Sequence, residues 1–351
     1  MWVAKNIWND LLAMTKQSYT DFGYFTSIKT LENCTKKSGI YSQTARHVAQ
    51  RLDFAIWTKF KLEKKGIKRG FPRFKKKMTI LHYPQTGFWI EDKLRVSPFG
   101  YIAIKKHREI KGKVKTLTLK KDTCGKWYAL LVTDYEPNKK CVPNDCIGID
   151  FNLENFATLS NGDVVENPRF LKKKEERIVV LQKRLARKKR GSNNRKKAVR
   201  KLAIEHKKVE NARSDFHHKL SRQLVDRYGL ISVEDLTIEG LNRTFLAKSF
   251  HDVGIGSFLI KLQYKAESAG VAVVKVNPRN TTQKCSSCGN IVPKSLSQRW
   301  HDCPSCGLSL PRDHNSAINI LKRATVGHTG SNACGVVEAS TAMKQELSDS
   351  I

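Results

Sequence analysis

Acidic residues are scarce in this chain. Only 32 Asp and Glu stand against 65 Lys and Arg in 351 residues, a formal net charge of +33. A one-signed surplus of that size repels itself unless a polyanion neutralises it, and nucleic acid is the leading candidate. The basic residues are spread over several segments and form no single amphipathic anchor, which argues against a membrane surface as the partner. No run of about 18 apolar residues occurs, which excludes a spanning helix of ordinary length. The opening "MWVAKNIWNDLLAM" lacks the plan of a signal peptide. An even, regularly spaced cysteine set is missing too: of nine cysteines, Cys34, Cys124, Cys141, Cys146 and Cys334 are scattered and odd in number. That excludes a disulfide framework and suits a reducing compartment. A soluble, cytoplasmic protein without a membrane partner is therefore expected. With 40% apolar residues, the chain has enough material for two or three modules and at least one sizeable core.

The remaining four cysteines are ordered. Cys285, Cys288, Cys303 and Cys306 form C-x2-C-x14-C-x2-C, with Gly289 and Gly307 directly after each couplet. Two tight knuckles of this kind bring four thiolates to one tetrahedral zinc ion, leaving no open coordination position, so the site is expected to be structural. An iron site with the same ligands is the alternative. His301 lies nearby but is superfluous to four sulfurs, and is expected at the surface or facing nucleic acid.

Periodicity divides the rest. Residues 1–60 carry apolar residues at three- and four-residue spacing, as in Val48, Leu52, Ala55 and Ile56, and predict helices. The stretch "KLEKKGIKRGFPRFKKK" (61–77) is basic and punctuated by Gly and Pro. It is either a solvated loop or, with Phe71 and Phe74 among the charges, a segment lying along a phosphate backbone; Arg69, Arg73, Lys75 and Lys76 are its candidate contacts. Residues 78–136 alternate in period two and predict short antiparallel strands closing a small β-barrel or sheet. "CIGID" then reads as a buried strand, and "FATLSNGDVVEN" as a hairpin turning on Asn161-Gly162. Residues 168–228 predict a basic helical hairpin with its tip at "RGSNNRKK". Leu171, Ile178, Leu181 and Leu185 form one seam, and Leu202, Val209 and Phe216 the other. Its outer faces hold too few acids for a neutral coiled coil, which makes Arg184, Arg187, Arg195 and Arg200 candidate nucleic-acid contacts. "GLISVEDL" and "VAVVKVNP" predict two further buried strands around a helix at 255–270. Residues 326–351 are Gly/Ser-rich and expected to be a disordered tail.

Three acids stand where elements end or begin. Asp150 closes "CIGID", Glu234 closes "LISVE", and Asp313 opens "RDHNSAINIL". Singly, each has an ordinary reading: a turn former, an exposed acid, a helix N-cap. On parallel strands of one sheet, the first two emerge at the carboxyl edge, where ligands bind. The order strand, hairpin, helices, strand, helix, strand is that of an RNase H-like fold, whose last helix could bring Asp313 to the same edge. Carboxylates crowded together ionise readily only with cations between them. Two Mg2+ (or Mn2+) ions held there would activate a water and stabilise the leaving oxygen of a phosphodiester.

The segments "GIDFN", "ISVEDL", "NTTQKCSSCG", "CPSCG" and "RDHNSAINIL" resemble, in order and approximate spacing, those of the TnpB family of transposon-encoded RNA-guided nucleases, related to type V CRISPR effectors. "GFPRFKKK" and "VGHTGSNACG" look like further family segments. The resemblance implies an α/β multidomain protein: a helical recognition lobe (1–75), a wedge-like β-barrel (76–146), a RuvC-like nuclease domain (147–282) containing the hairpin 168–228, a zinc ribbon (283–308) and a last nuclease helix (309–325). It implies Asp150, Glu234 and Asp313 as the catalytic triad, guide RNA and target DNA as partners, and Mg2+-dependent DNA cleavage beside a short flanking motif. A catalytically silent RNA-guided binder or a transposase-associated DNA-binding protein is the alternative; the Tyr nucleophile and His pair of strand-transfer enzymes are not found. Two departures stand out. Family members usually begin with a strand that completes the barrel, whereas this chain begins within the helical region, so a shortened N-terminus is expected. Pro311 stands where many members have an acid.

Overall fold

The computed structural model describes residues 1–36, 38–136, 142–235, 252–295 and 298–326. They form two compact units, one ending at Glu136 and the other running from residue 137.

In the first unit, α1 (Trp2–Phe22), α2 (Ile28–Asn33) and α3 (Ser42–Lys64) precede six short strands. The apolar stripes of α1 and α3 bury Leu11, Leu12, Val48, Leu52 and Ile56. The strands contribute Leu81, Leu94, Val96 and Leu117 to the same hydrophobic cluster. Helices and strands on either side of residue 75 thus share one core. The strands β1 (Ile80–Tyr83), β2 (Phe88–Ile90), β3 (Leu94–Val96), β4 (Gly100–Ile102), β5 (Val114–Lys121) and β6 (Trp127–Thr133) do not close a barrel among the described residues. They make two antiparallel sheets of three strands, ordered β1-β5-β6 and β2-β3-β4. Three-residue strands such as β3 are too short to show alternation in the sequence, and β1, β6, β2 and β4 remain sheet edges among the described residues.

In the second unit, β7 (Cys146–Phe151), β8 (Asn155–Leu159), β9 (Val164–Glu166), β10 (Leu230–Glu234) and β11 (Ala272–Val276) form one sheet in the order β11-β10-β7-β8-β9. β7, β8 and β9 are antiparallel neighbours, β8 and β9 being joined through the Asn161-Gly162 turn, with Gly162 at φ 93°. β10 runs parallel to both β7 and β11. Helix α4 (Glu175–Ala186) and the 35-residue α5 (Asn193–Arg227) make the hairpin, the second arm starting on Ser192, whose hydroxyl accepts the Arg195 amide at 3.1 Å. Ile178 and Leu181 are buried on one arm and Val209 on the other. One sheet face, with Ile147, Ile149, Phe151, Ile231 and Val233, packs in a cluster with Leu220 and Leu224 of α5 and with Phe258 and Leu262 of α6 (Ile255–Ala269). Helix α7 (Arg312–Val326) packs against the sheet on its other side. Among the described residues, no helix is long and apolar enough to cross a membrane.

Contact with α7 depends on Gly148. Side chains at i and i+2 share a strand face, so Gly148 and Asp150 lie together on β7. A Cβ at Gly148 would run into the Ala317 carbonyl and come within 2.9 Å of Leu321. Its neighbour across the parallel pair is Ser232, another small residue. These two let the helix approach the sheet closely.

His217 on α5 is buried among Phe156, Phe216 and Phe258, and one ring nitrogen bonds the Val253 carbonyl at 3.0 Å. Burial, the largest influence, holds its pKa at about 4.

Two outcomes are expected. Gly148→Ala should cost about 1–3 kcal/mol of stability by forcing α7 outward, read as a lower thermal midpoint. Between pH 6.5, the ordinary histidine value, and about 4, the unfolded chain binds a proton at His217 that the folded chain refuses. Stability therefore falls as pH drops through that window. Denaturant titrations of His217→Leu should show a shallower fall than the parent.

Candidate functional site

The register of the parallel strands brings two acids side by side. Ile149 of β7 pairs with Val233 of β10, so Asp150 and Glu234 are the next residues along each strand. Both are buried, with 6% and 8% of their surface exposed. Asp313 comes from the first turn of α7, which crosses the same end of the sheet. Its position corrects the N-cap reading: the helix begins at Arg312, and the Asp313 carboxylate accepts from Asn152 Nδ2 at 3.1 Å and Arg312 Nε at 3.3 Å.

Each acid has a polar neighbour that the sequence reading did not single out. Ser316 Oγ donates to Asp150 Oδ1 at 3.3 Å, and Thr281 Oγ1 to Glu234 Oε1 at 2.5 Å. Asn152 is fixed in turn, because its own carbonyl accepts the Asn155 amide at 2.7 Å. The available signal was weak: Ser316 lies one helical turn after Asp313, and Asn152 two residues after Asp150.

The electrostatics are those of a crowded acidic site. Burial, then Glu234 and Asp313, push the Asp150 carboxyl well above the ordinary range, against the pull of Ser316 and Arg312. Burial also raises Glu234, with Thr281 and Arg323 opposing. Buried carboxyls that resist ionising offer hard oxygen donors to a divalent cation, whose charge would reverse both effects. The acids fit such an ion by donor type. Their oxygens are more spread than a single tight cage, since among the described residues only the four cysteines bring one ligand atom each within 4.8 Å of one another.

Those cysteines sit on two knuckles. Cys285 and Cys306 sulfurs are 3.6 Å apart, and those of Cys288 and Cys303 3.5 Å. A tetrahedron with bonds of about 2.3 Å has edges of about 3.8 Å, so the set fits one zinc ion. The Leu308 amide, followed by the neighbouring sulfurs, outweighs burial and brings the Cys306 thiol down to about 6. The short ribbon β12 (Trp300–Asp302) and β13 (Ser309–Pro311) carries the second couplet between its strands. His301 is fully buried in β12, beside Lys294, and is not the surface residue expected from sequence. The middle residue of a three-residue strand whose neighbours face out must point in.

Helix α7 ties this module to the sheet. Asn315 Oδ1 accepts the Ser286 amide at 2.8 Å, and Asn315 Nδ2 donates to the Lys284 carbonyl at 2.8 Å. Asn319 Nδ2 donates to Thr281 O at 2.9 Å and Lys284 O at 2.6 Å. Lys322 reaches the Ser286 carbonyl. Residues 315, 319 and 322 follow helical spacing and form one face, so the helix bearing Asp313 is fixed by the cysteine knuckle.

The basic candidates are used in different ways. Arg69, Arg73 and Lys76 are exposed on the 61–77 segment. That segment is docked on α1: Trp8 Nε1 donates to Arg73 O at 3.2 Å, and Asn9 pairs with the Lys75 backbone through bonds of 2.8 and 3.1 Å. Lys75 lies 3.2 Å from the centre of the Trp8 ring, and burial, then Arg51, lowers its pKa to about 8. Arg184, Arg187 and Arg200 are exposed on the hairpin. Arg195 is directed instead to the end of α4, donating to Leu185 O at 3.0 Å and Lys188 O at 3.1 Å. Cys141, Cys334, the rest of "VGHTGSNACG" after Val326, and the tail lie outside the described residues.

Metal analysis of the purified chain should find one zinc per molecule. Cys303→Ser/Cys306→Ser should remove it and lower the melting midpoint, because the knuckle that α7 holds loses its centre.

Comparisons with known proteins follow this geometry. Residues 130–244 match the family model OrfB_IS605, "Probable transposase", and residues 256–320 match the "Cas12f1-like, TNB domain" model. The chain is 30% identical over 305 residues to the "Putative RNA-guided DNA endonuclease InsQ" of Escherichia coli (strain K12), covering 80% of this chain and 75% of that protein. It is 32% identical over 223 residues to a "Putative RNA-guided DNA endonuclease" of Streptomyces pristinaespiralis, spanning 54% of that protein's length. It is 30% identical over 228 residues to "TnpB-like protein L79" of Acanthamoeba polyphaga mimivirus, spanning 43% of that protein. Its fold is similar to that of the protein in a cryo-EM structure of a Cas12f1–sgRNA–target DNA complex, with a TM-score of 0.56, 16% identity, and coverage of 90% of this chain and 80% of the other. The chain belongs to the TnpB family of proteins related to RNA-guided DNA endonucleases.

Proposed function

We propose that this protein is an RNA-guided DNA endonuclease that cuts a phosphodiester with Asp150, Glu234 and Asp313. The observation that carries this reading is the convergence of Asp150, Glu234 and Asp313, drawn from two parallel strand ends and the helix crossing them. The sheet order β11-β10-β7-β8-β9, with three antiparallel strands and two added in parallel, supports an RNase H-like (RuvC-like) nuclease domain. Relatives named as RNA-guided DNA endonucleases support guide RNA and target DNA as its partners.

Asp150 lies between the other two acids in influence, feeling both, and would share its carboxylate between two cation positions. Glu234 and Asp313 would each complete one. Bound Mg2+ (or Mn2+) would supply an activated water and a counter-charge for the leaving oxygen. The chain's own groups hold the geometry: Thr281, Ser316 and Asn152 orient the acids, and burial keeps bulk water from competing for them. The four-cysteine module would hold zinc and fix α7. Exposed arginines of the 61–77 segment and of the hairpin 168–228 would neutralise phosphates, with sequence read by base pairing to the guide. Cutting beside a short flanking motif belongs to the same reading.

Asp150→Asn should abolish guide-dependent cleavage in Mg2+ and leave RNA binding intact, measured on matched DNA with a filter-binding control. Because it removes a buried carboxyl from an acidic cluster, the metal-free variant should melt no lower than the parent. Cleavage surviving in the variant would overturn the assignment. Guide-dependent DNA binding by a parent chain that never cuts would select the silent RNA-guided binder.

A further inference from the structure

The β2-β3-β4 sheet presents an outer face made of three side chains. Its strands are three residues long, so each places one residue outward and two inward. Trp89 pairs with Arg95, and Arg95 with Tyr101, directly across the antiparallel strands. Directly opposed residues share a face, and the three therefore stand in a row. Phe88, Leu94 and Val96 occupy the inner face, buried in the core. Trp89 is 56% exposed and Tyr101 69%. The Arg95 guanidinium lies 5.3 Å from the Trp89 ring centre and 5.7 Å from that of Tyr101. Phe99, just before β4, is also exposed.

This is an unusual composition for the wet face of a sheet. Two large aromatic rings are held open to solvent at strand positions where a polar residue would serve folding equally well. The cation between them makes no ion pair among the described residues. Glu91 and Asp92 sit at the β2–β3 turn, outside the row; Lys106 donates to the Glu91 carbonyl there, and Lys93 and Lys105 flank the sheet as exposed cations. Each ring offers a flat π-face and the guanidinium a third, on a strongly basic chain. Protein partners with acidic surfaces would use the cations and leave the rings unexplained. Duplex nucleic acid would use the cations too, but its bases are stacked and closed to the rings. An unpaired nucleobase uses both.

We propose that the Trp89–Arg95–Tyr101 row is a stacking platform for unpaired bases of single-stranded RNA, the phosphates lying along the flanking lysines. That the strand is RNA rests on the RNA-guided reading above; that its bases are unpaired rests on the row itself.

The test uses the full chain and two probes of equal length and charge, a short oligoadenylate RNA and its abasic counterpart. The wild type should bind the base-bearing strand about tenfold more tightly than the abasic one. Trp89→Ala/Tyr101→Ala should erase that preference and leave the salt dependence of binding unchanged, because phosphate contacts are untouched. Trp89→Phe/Tyr101→Phe should retain it. Ultraviolet cross-linking of the wild type, mapped by mass spectrometry, should place adducts on Trp89 or Tyr101 and needs no variant to fold. The proposal is overturned by equal binding of the two probes, by a preference that survives the alanines, or by adducts found only elsewhere. A preference shown for single-stranded DNA but not RNA also overturns it, as does a wild-type dimer that the alanines dissolve. Guide-dependent cleavage that needs Asp150 can hold while any of these fails, so the two readings fall separately.

Discussion

The close approach of α7 to β7 is the constraint on which the second unit depends. Gly148 leaves room for the Ala317 carbonyl, and the helix settles where its first turn overlies the end of the sheet. Asp150 shares a strand face with Gly148, so the same contact that closes the core delivers Asp313 to Asp150 and Glu234. Any side chain at residue 148 would separate folding from the acidic cluster, because the helix could pack only farther out.

The acids are costly where they stand. Burial and mutual repulsion favour their protonated forms, and a fold selected for stability alone would place apolar groups there. Hydroxyls of Ser316 and Thr281 and the amide of Asn152 soften that cost without neutralising it. Arg312, beside Asp313, and Arg323, acting on Glu234, supply part of the positive charge the cluster calls for, yet Asp150 and Glu234 both stay above the ordinary carboxylate range. The four-cysteine knuckle meets a different need. Asn315, Asn319 and Lys322 lock α7 to its backbone, so the module acts on the acids through the helix.

Basic residues divide by what they touch. Lys75 and Arg195 look, in sequence, like neighbours of Arg73 and Arg200 in charged runs. The structure turns Lys75 onto the Trp8 ring and Arg195 onto the carbonyls ending α4. Charge runs report how many cations a segment has. Which of them remain available depends on the carbonyls and rings that happen to lie within reach.

Local patterns were legible because their physics is local. Cysteine couplets with two residues between them must form knuckles, Asn161-Gly162 must turn, and alternation or three-four spacing must bury one face; these determined the zinc-type site, the hairpin, the buried strands and the helices. The acids at strand ends were legible for the same reason, since a strand's end follows from its own pattern. Tertiary structure alone decided the rest. Asn152 meets Asp313 across 161 positions, and Ser316 meets Asp150 across 166. Among the described residues, six strands pair as two three-stranded sheets, a partition that strands of three residues carry too little pattern to show in sequence. His301 went inward, and Trp89, Arg95 and Tyr101 came into one row, by register. The sequence by itself determined which chemical groups this protein has and on which elements they ride; only packing, which joins residues with no sequence relation, decided which of them meet.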